Sequence, residues 1–93
     1  MFAPTEYNPI GPHQRIALDA SARWLAKPDA EATCLLLQAE TQNVRYRLDK
    51  VAATATVGFQ LAAGQITLIP TVVGGISVCR EAAGAVIQIQ WIS

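Results

Sequence analysis

Apolar and polar residues alternate strictly at the start of the segment that spans residues 44–61. Val44, Tyr46 and Leu48 share one face of this alternation, and the arginines between them lie on the other face, toward solvent. A period of two residues predicts a half-buried β-strand. The small residues that follow show no clear period until Gly58, after which an apolar–polar alternation resumes. The pattern therefore predicts a strand, a long lateral loop and a second, short strand.

Shorter patterns before and after this segment predict further strands, separated by turns rich in Gly, Pro and Asn. These strands are expected within residues 15–19, 20–27, 33–40, 65–69, 76–80 and 85–92. In the last of them, Ile87, Ile89 and Trp91 are expected to face the core, because they alternate with glutamines. A short capped helix is the alternative for residues 20–27, and the β-rich surroundings favour the strand.

The pattern also predicts how two of these strands are connected. The apolar run at residues 34–37 does not alternate, which is typical of a central strand covered on both faces. Residues 41–43, Thr-Gln-Asn, make a short polar link to the strand that begins at Val44. We expect this link to close a hairpin between the two strands, with Asn43 at positive φ.

The first fourteen residues differ from the rest of the chain. Pro4, Pro9 and Pro12 exclude a helix and a central strand, because proline fixes φ and lacks an N–H donor. The segment nevertheless carries large apolar side chains, which predict an extended arm over residues 1–14 that lies along a neighbouring surface. A frayed terminus is the alternative. The candidate partner-binding residues of the arm and of the remaining chain are Phe2, Tyr7, Ile10 and Trp24.

The predicted fold class is all-β: a small antiparallel β-sandwich or barrel of six to seven short strands, preceded by the extended N-terminal arm. Residues 15–93 form a single domain, because a chain of 93 residues suffices for only one. Hydrophobic residues make up 52% of the chain and charged residues 15%, against a usual charged share of about 25%. This apolar surplus favours a homo-oligomer over a free monomer.

Charge and hydropathy exclude several classes of partner. The formal net charge is zero and the pI is about 6.5, so the chain has no electrostatic footprint for nucleic acid. The apolar runs are too short for a membrane span, and the first twenty residues lack the apolar core of a signal peptide. We therefore expect no nucleic-acid or membrane partner, and synthesis in a cytoplasm that keeps the thiols reduced.

Few side chains offer catalytic chemistry. His13 is the only histidine and lies in the predicted arm, where no neighbour would hold it rigidly. Cys34 and Cys79 are expected to be small core residues, and a disulfide between them remains open. Two thiols and one histidine cannot complete a zinc site, so neither a metal nor a cofactor is expected. Trp24 and Trp91 offer rings for stacking on a sugar, although Trp91 shares the core-facing alternation. The chain is predicted not to be an enzyme.

A set of residues around the lateral loop and the last strand has a recognisable spacing. These residues are Arg45, Tyr46, Asp49, Thr54, Ala55, Gly58, Leu61, Ala83, Gly84, Ala85 and Trp91. The spacing resembles R-Y-x-x-D-G-x-x-P-T-A-x-x-G-x-x-L, followed by a strand pair and A-G-A-x-x-x-V-x-Y/W, in small structural proteins of tailed bacteriophages. The chain departs from that pattern at Lys50, where Gly is usual, and at Ala53, where Pro is usual. The resemblance extends over roughly residues 32–92.

The resemblance implies a virion structural protein, in the first instance a capsid decoration or cement protein that binds the lattice of the major capsid protein and stabilises the head. It also implies a homo-oligomer, with a trimer as the expected state, made in the bacterial host cytoplasm and located in the virion. A head–tail or tail structural protein is one alternative. A carbohydrate-binding β-sandwich module is the other, because Y-x-x-D-G-x-x-P-T segments also occur in such modules.

Overall fold

Alternating apolar segments and turns rich in glycine and proline place most of the chain in short strands. The computed structural model describes residues 8–28, 30–70 and 75–93. These residues form eight β-strands and no helix. The strands are β1 (Pro9–Ala17), β2 (Arg23–Leu25), β3 (Cys34–Ala39), β4 (Val44–Arg47), β5 (Phe59–Leu61), β6 (Ile66–Pro70), β7 (Ile76–Arg80) and β8 (Val86–Ile92).

Two four-stranded sheets contain these strands, and all neighbouring strands pair antiparallel. The order is β1-β8-β3-β6 in the first sheet, called sheet 1, and β2-β7-β4-β5 in the second, called sheet 2. One hydrophobic cluster joins the sheets, since Leu35 and Ile87 of sheet 1 and Val44 and Val78 of sheet 2 are completely buried in it. The predicted all-β, antiparallel class is confirmed. The fold was predicted with six to seven strands, whereas the described residues contain eight, because each of the eight segments considered forms a strand.

The strand faces predicted from the alternation are confirmed in β4 and β8. Val44 is completely buried, and Tyr46 packs against the same core from a partly buried position. The relative solvent exposure is between 0% and 3% for Ile87, Ile89 and Trp91, while the glutamines between them are half-buried. The strand, long loop and short strand predicted for residues 44–61 appear as β4, residues 48–58 and β5.

The first strand begins earlier than the predicted domain boundary at residue 15. Pro9 and Ile10 pair with β8, and the pairing resumes at Gln14 after an irregularity. Prolines are tolerated here because β1 lies at the edge of sheet 1 and needs hydrogen-bond donors on one side only. Gly11 accommodates the irregularity with a φ of 76°, a conformation that glycine adopts at little cost.

The predicted arm is corrected accordingly. Residues 9–14 belong to sheet 1, and only residues 1–7 of the predicted arm lie outside the described residues. The prediction underestimated β1 because prolines argue against a central strand, whereas an edge strand accepts them.

The hairpin predicted between β3 and β4 is wrong. The two strands belong to different sheets, so residues 41–43 cross from sheet 1 to sheet 2 instead of reversing within one sheet. Asn43 does not have a positive φ; its side-chain oxygen accepts a hydrogen bond from the Ala63 N–H at 2.9 Å, and its carbonyl accepts one from the Glu81 N–H at 3.3 Å. β3 is central in sheet 1, as predicted, but Leu36 is only half-buried, so its outer face is not fully covered.

Candidate functional site

The lateral loop, residues 48–58, folds back over the outer face of sheet 2. Ser77 in β7 points to that face, because its neighbours along the strand belong to the core. The Ala53 N–H donates to Ser77 Oγ at 3.0 Å, and the Ser77 hydroxyl donates to the Val51 carbonyl oxygen at 3.0 Å. Ser77 is completely buried. One serine thus provides both polar contacts that fix the first half of the loop on the sheet.

A tight turn built on Thr54 shapes the second half of the loop. Thr54 Oγ1 accepts hydrogen bonds from the Thr56 N–H at 3.3 Å and the Val57 N–H at 3.0 Å. The Thr54 N–H donates to the Val57 carbonyl oxygen at 3.0 Å. Threonine favours such local side-chain bonds to the backbone, and the turn brings Val57 back toward β4.

The loop returns to the sheet through a close approach of two backbone segments. Gly58 has a φ of 138°, and a Cβ atom added there would lie 3.0 Å from the Tyr46 carbonyl oxygen and 3.2 Å from Arg45 Cβ. Glycine is required because any side chain would meet the backbone of β4. At the other end of the loop, Lys50 has a φ of 65° and is the single described residue other than glycine with a positive φ.

The base of the loop carries an exposed apolar surface. Leu48, Val57 and Phe59, which together form the loop-base patch, line an open groove of about 450 Å³. Phe59 is 63% exposed and Val57 is 48% exposed. Tyr46 supports the Phe59 ring from β4, with ring centroids 5.6 Å apart and an interplanar angle of 41°. Such a supported, exposed aromatic ring is typical of a surface that contacts a partner.

One ion pair lines the groove of the loop-base patch, and a second joins β4 to the residue that follows β7. Arg47 Nε donates to Asp49 Oδ1 at 2.9 Å, and this hydrogen bond lowers the pKa of the Asp49 carboxyl below its ordinary value. Arg45 Nε donates to Glu81 Oε2 at 2.9 Å, and Gln60 donates to the same oxygen at 2.8 Å. The two charged side chains that line the groove, Arg47 and Asp49, are therefore paired with each other, and the apolar side chains are the available contact surface.

Trp24 forms a second exposed aromatic feature. It is 46% exposed on β2, the edge strand of sheet 2 opposite to β5. A shallow groove of about 260 Å³ beside it is also lined by Asp19 and Arg23. Asp19 Oδ1 accepts a hydrogen bond from the Ser21 N–H at 2.9 Å, which stabilises the turn in front of β2. An aromatic ring next to polar side chains has the composition of a sugar-stacking surface.

The structure describes two of the four predicted partner-binding residues. Phe2 and Tyr7 lie outside the described residues. Ile10 lies in β1 and packs, partly buried, against the core, so it contributes to the fold of the chain itself. Trp24 is exposed on β2, and its role in partner binding stays a prediction. Phe59 was not among the candidates, because the sequence shows its alternation but not that β5 is an edge strand.

The side chains considered for catalysis are not brought together. His13 Nε2 lies 2.8 Å from Gln88 Oε1 on the exposed face of sheet 1. Cys34 and Cys79 are both free and buried, and they belong to strands of different sheets. Among the described residues no group of three or more His, Cys, Asp or Glu side chains is placed to hold a metal ion.

A membrane-spanning helix is not found in the described part of the chain. Comparisons of the chain with protein-family models, with curated proteins and with solved structures found no match.

Proposed function

We propose that the protein is a structural component of a tailed-phage virion, and in particular a capsid decoration protein that binds the lattice of the major capsid protein and stabilises the head. The observation that carries the proposal is the loop-base patch. It exposes Phe59 and Val57 on the segment whose residues resemble the phage proteins. A non-catalytic role fits a surface whose accessible chemistry is apolar contact.

The backbone of the lateral loop supports the resemblance at two positions. Lys50 stands where the phage proteins usually have Gly, and its φ of 65° is a conformation in which glycine is favoured. Gly58 matches the pattern, and its close approach to the Tyr46 carbonyl oxygen explains why a glycine is needed there. The pattern thus corresponds to specific requirements of this loop.

The departure at Ala53 has a local compensation. The phage proteins usually have Pro at this position, which would remove the N–H group. In this chain the Ala53 N–H is used, because it donates to Ser77 Oγ in a completely buried environment. The loop is therefore held by a hydrogen bond instead of by a restricted φ.

Binding to the capsid is expected to depend on Phe59. The test measures co-sedimentation of the purified protein with undecorated capsids, assembled from the major capsid protein of a tailed phage. Phe59→Ala should weaken binding by at least about tenfold, because truncation of an aromatic contact residue removes more than about 1.4 kcal/mol. Val51→Ala is the control and should bind like the unaltered protein, because Val51 is 48% exposed on the same loop but does not line the groove. Absence of binding by the unaltered protein would contradict the capsid role, and binding to purified tails instead would indicate the head–tail or tail alternative.

A carbohydrate-binding module is the second candidate, and Trp24 is the observation that favours it. Its exposed ring lies beside Asp19 and Arg23, so stacking and hydrogen bonding to a sugar are available at one place. Titration with polysaccharides while tryptophan fluorescence is followed separates the two proposals, because Trp91 is buried and Trp24 alone would report contact. A saturable change that Trp24→Ala abolishes would favour the module.

A further inference from the structure

The four edge strands of the two sheets are not equally protected against pairing with another chain. β1 carries two prolines and an irregularity, and β2 and β5 are three residues long. β6 has five residues, pairs with β3 in continuous register and has no charged side chain. No charged residue occurs anywhere between Lys50 and Arg80. Proteins protect free edges with charges, prolines, bulges and short strands, and β6 has only Pro70, at its last position.

The hydrogen-bonding groups of β6 that face away from β3 can be identified from the pairing. The Ala39 N–H donates to the Gln65 carbonyl oxygen at 3.1 Å, so this carbonyl faces β3, while the Gln65 N–H donates to the Ala62 carbonyl oxygen within the turn at 3.0 Å. Alternate residues of an antiparallel strand direct their groups to the same side. Thr67 and Ile69 therefore also bond to β3, in agreement with their register partners Leu37 and Leu35.

The remaining residues of β6 direct their backbone groups to the free side. Ile66 and Leu68 each present one N–H and one carbonyl group there, and Pro70 presents a carbonyl alone. No strand of the described residues lies on that side. The free edge thus offers two donors and three acceptors.

We propose that β6 pairs antiparallel with β6 of a second copy of this chain, about a two-fold axis through Leu68. In this register the Leu68 N–H of each chain donates to the Leu68 carbonyl of the other, and the Ile66 N–H donates to the Pro70 carbonyl. All four outward donors of the two chains are then satisfied. Because Pro70 has no N–H, the Ile66 carbonyl of each chain accepts no bond from the partner strand and is left for water at the ends of the contact. A second copy is the occupant we propose, because each chain supplies the acceptors for the donors of the other and the apolar surplus of the chain favours a homo-oligomer.

The side chains agree with this pairing. Leu68 lies opposite its own copy, and Ile66, which is 63% exposed, lies opposite Pro70. The Leu36 side chain lies next to Leu68 on the same outer face of sheet 1. All contacts are apolar, so no like charges meet at the axis. At the turn before β6, Gly64 has no neighbouring atom within 4 Å of an added Cβ, which leaves that end of the strand open.

The pairing would join the two copies of sheet 1 into one eight-stranded sheet. A two-fold contact of this kind closes on itself and produces a dimer. The dimer departs from the trimer implied by the phage resemblance and does not depend on the proposed virion role.

The test places a charged residue at position 68, which lies on the proposed two-fold axis, in the full-length chain. Sedimentation of the unaltered protein should give twice the 9.9 kDa mass of one chain. Leu68→Lys and Leu68→Glu should each give the mass of one chain, because two like charges then lie opposite each other. An equimolar mixture of the two variants should recover the dimer, since opposite charges then meet at the same place. Gln60→Lys places a matched charge on the edge strand β5 and should leave the dimer intact.

Several outcomes would overturn the proposal. These are a monomeric unaltered protein, a trimer that is indifferent to the Leu68 substitutions, and a mixture of Leu68→Lys and Leu68→Glu that remains monomeric although each variant melts cooperatively. A dimer that Gln60→Lys abolishes and Leu68→Lys leaves intact would place the contact on β5 instead.

Discussion

Lys50 adopts a backbone conformation that its side chain disfavours. A φ of 65° brings Cβ close to the following carbonyl oxygen, at a cost of about 1–2 kcal/mol for a residue other than glycine. The lateral loop imposes this conformation, since it must turn out of β4 and cross Ser77. The strain is a property of one residue, and a single substitution can relieve it.

Lys50→Gly is expected to stabilise the protein by roughly 0.5–1 kcal/mol, because relief of the strain exceeds the entropy that glycine adds to the unfolded chain. Denaturant unfolding measures the change in the free energy of unfolding. Lys27→Gly is the matched control, since Lys27 is exposed and has no positive φ. It should be neutral or destabilising. A loss of stability in Lys50→Gly would show that the lysine side chain contributes more than the strain costs.

Gly58→Ala should lower the free energy of unfolding more than a Gly→Ala substitution at other positions. The added methyl group would lie 3.0 Å from the Tyr46 carbonyl oxygen, and φ would remain at a disfavoured 138°. We expect a loss of about 2–4 kcal/mol in the free energy of unfolding. Gly84 also has a positive φ, 87°, but a Cβ atom added there would meet no atom within 4 Å. Gly84→Ala should therefore lower the free energy of unfolding by only about 1–2 kcal/mol. Equal losses would mean that the close approach to β4 is not what requires glycine.

The ion pair between Arg15 and Glu40 predicts a pH dependence. Arg15 donates two hydrogen bonds of 2.9 Å to the Glu40 carboxylate, and they lower the pKa of Glu40 below its ordinary value of 4.5. A lowered pKa in the folded state stabilises the fold above pH 4.5, and this stabilisation is lost as the pH falls through the lowered value. The melting temperatures of the unaltered protein and Glu40→Gln should therefore converge in acid. Arg15→Gln should show the same convergence, and a constant difference down to about pH 3 would contradict the pairing.

Among the strands, β1 shows how an element with unfavourable composition becomes part of the fold. Its prolines and Gly11 weaken any isolated strand, yet β8 offers a long partner on one side. Ile10 then packs against the core, which adds apolar burial to the hydrogen bonds. Edge position and a neighbouring strand thus override local propensity.

Deletion experiments can measure this contribution of β1. Removal of residues 1–14 should lower the melting temperature relative to removal of residues 1–7, because only the longer deletion removes Ile10 and the first pairs with β8. The shorter deletion is the reference, so the difference reports residues 8–14. Equal melting temperatures for the two deletions would show that the beginning of β1 adds no stability.

For the whole molecule, the pairing of distant segments is the dominant feature. β1 pairs with β8, and β3 lies between β8 and β6, so each strand of sheet 1 depends on partners far along the chain. The consecutive strands β1, β2, β3 and β4 alternate between the two sheets. Pairing of this kind requires closure of long loops before the native contacts form.

We therefore expect folding on the millisecond-to-second timescale of small all-β proteins, and not the microseconds of helical bundles. Stopped-flow refolding with tryptophan fluorescence measures the rate, since Trp91 becomes buried on folding. The measurement should be repeated at several protein concentrations, so that association of chains is separated from folding. Refolding that is complete within the dead time of mixing would contradict this view of the topology.

The sequence by itself determined the all-β class, the lateral loop between β4 and β5, and the buried faces of β4 and β8. These features depend on local periodicity, because a period of two places alternate side chains on opposite faces wherever the strand lies. The end of the loop at Gly58 was also visible in the alternation, whereas the need for glycine there, which comes from the backbone of Tyr46, was not.

Only the tertiary structure decided which strands are neighbours and which lie at the edges. Periodicity assigns a face to a side chain but does not say whether another strand covers it. For this reason the link at residues 41–43 could not be recognised as a crossing between sheets, and Phe59 and Ile66 could not be recognised as exposed. The loop-base patch and the free edge of β6 both arise where a sheet ends, and a sheet ends where long-range pairing stops.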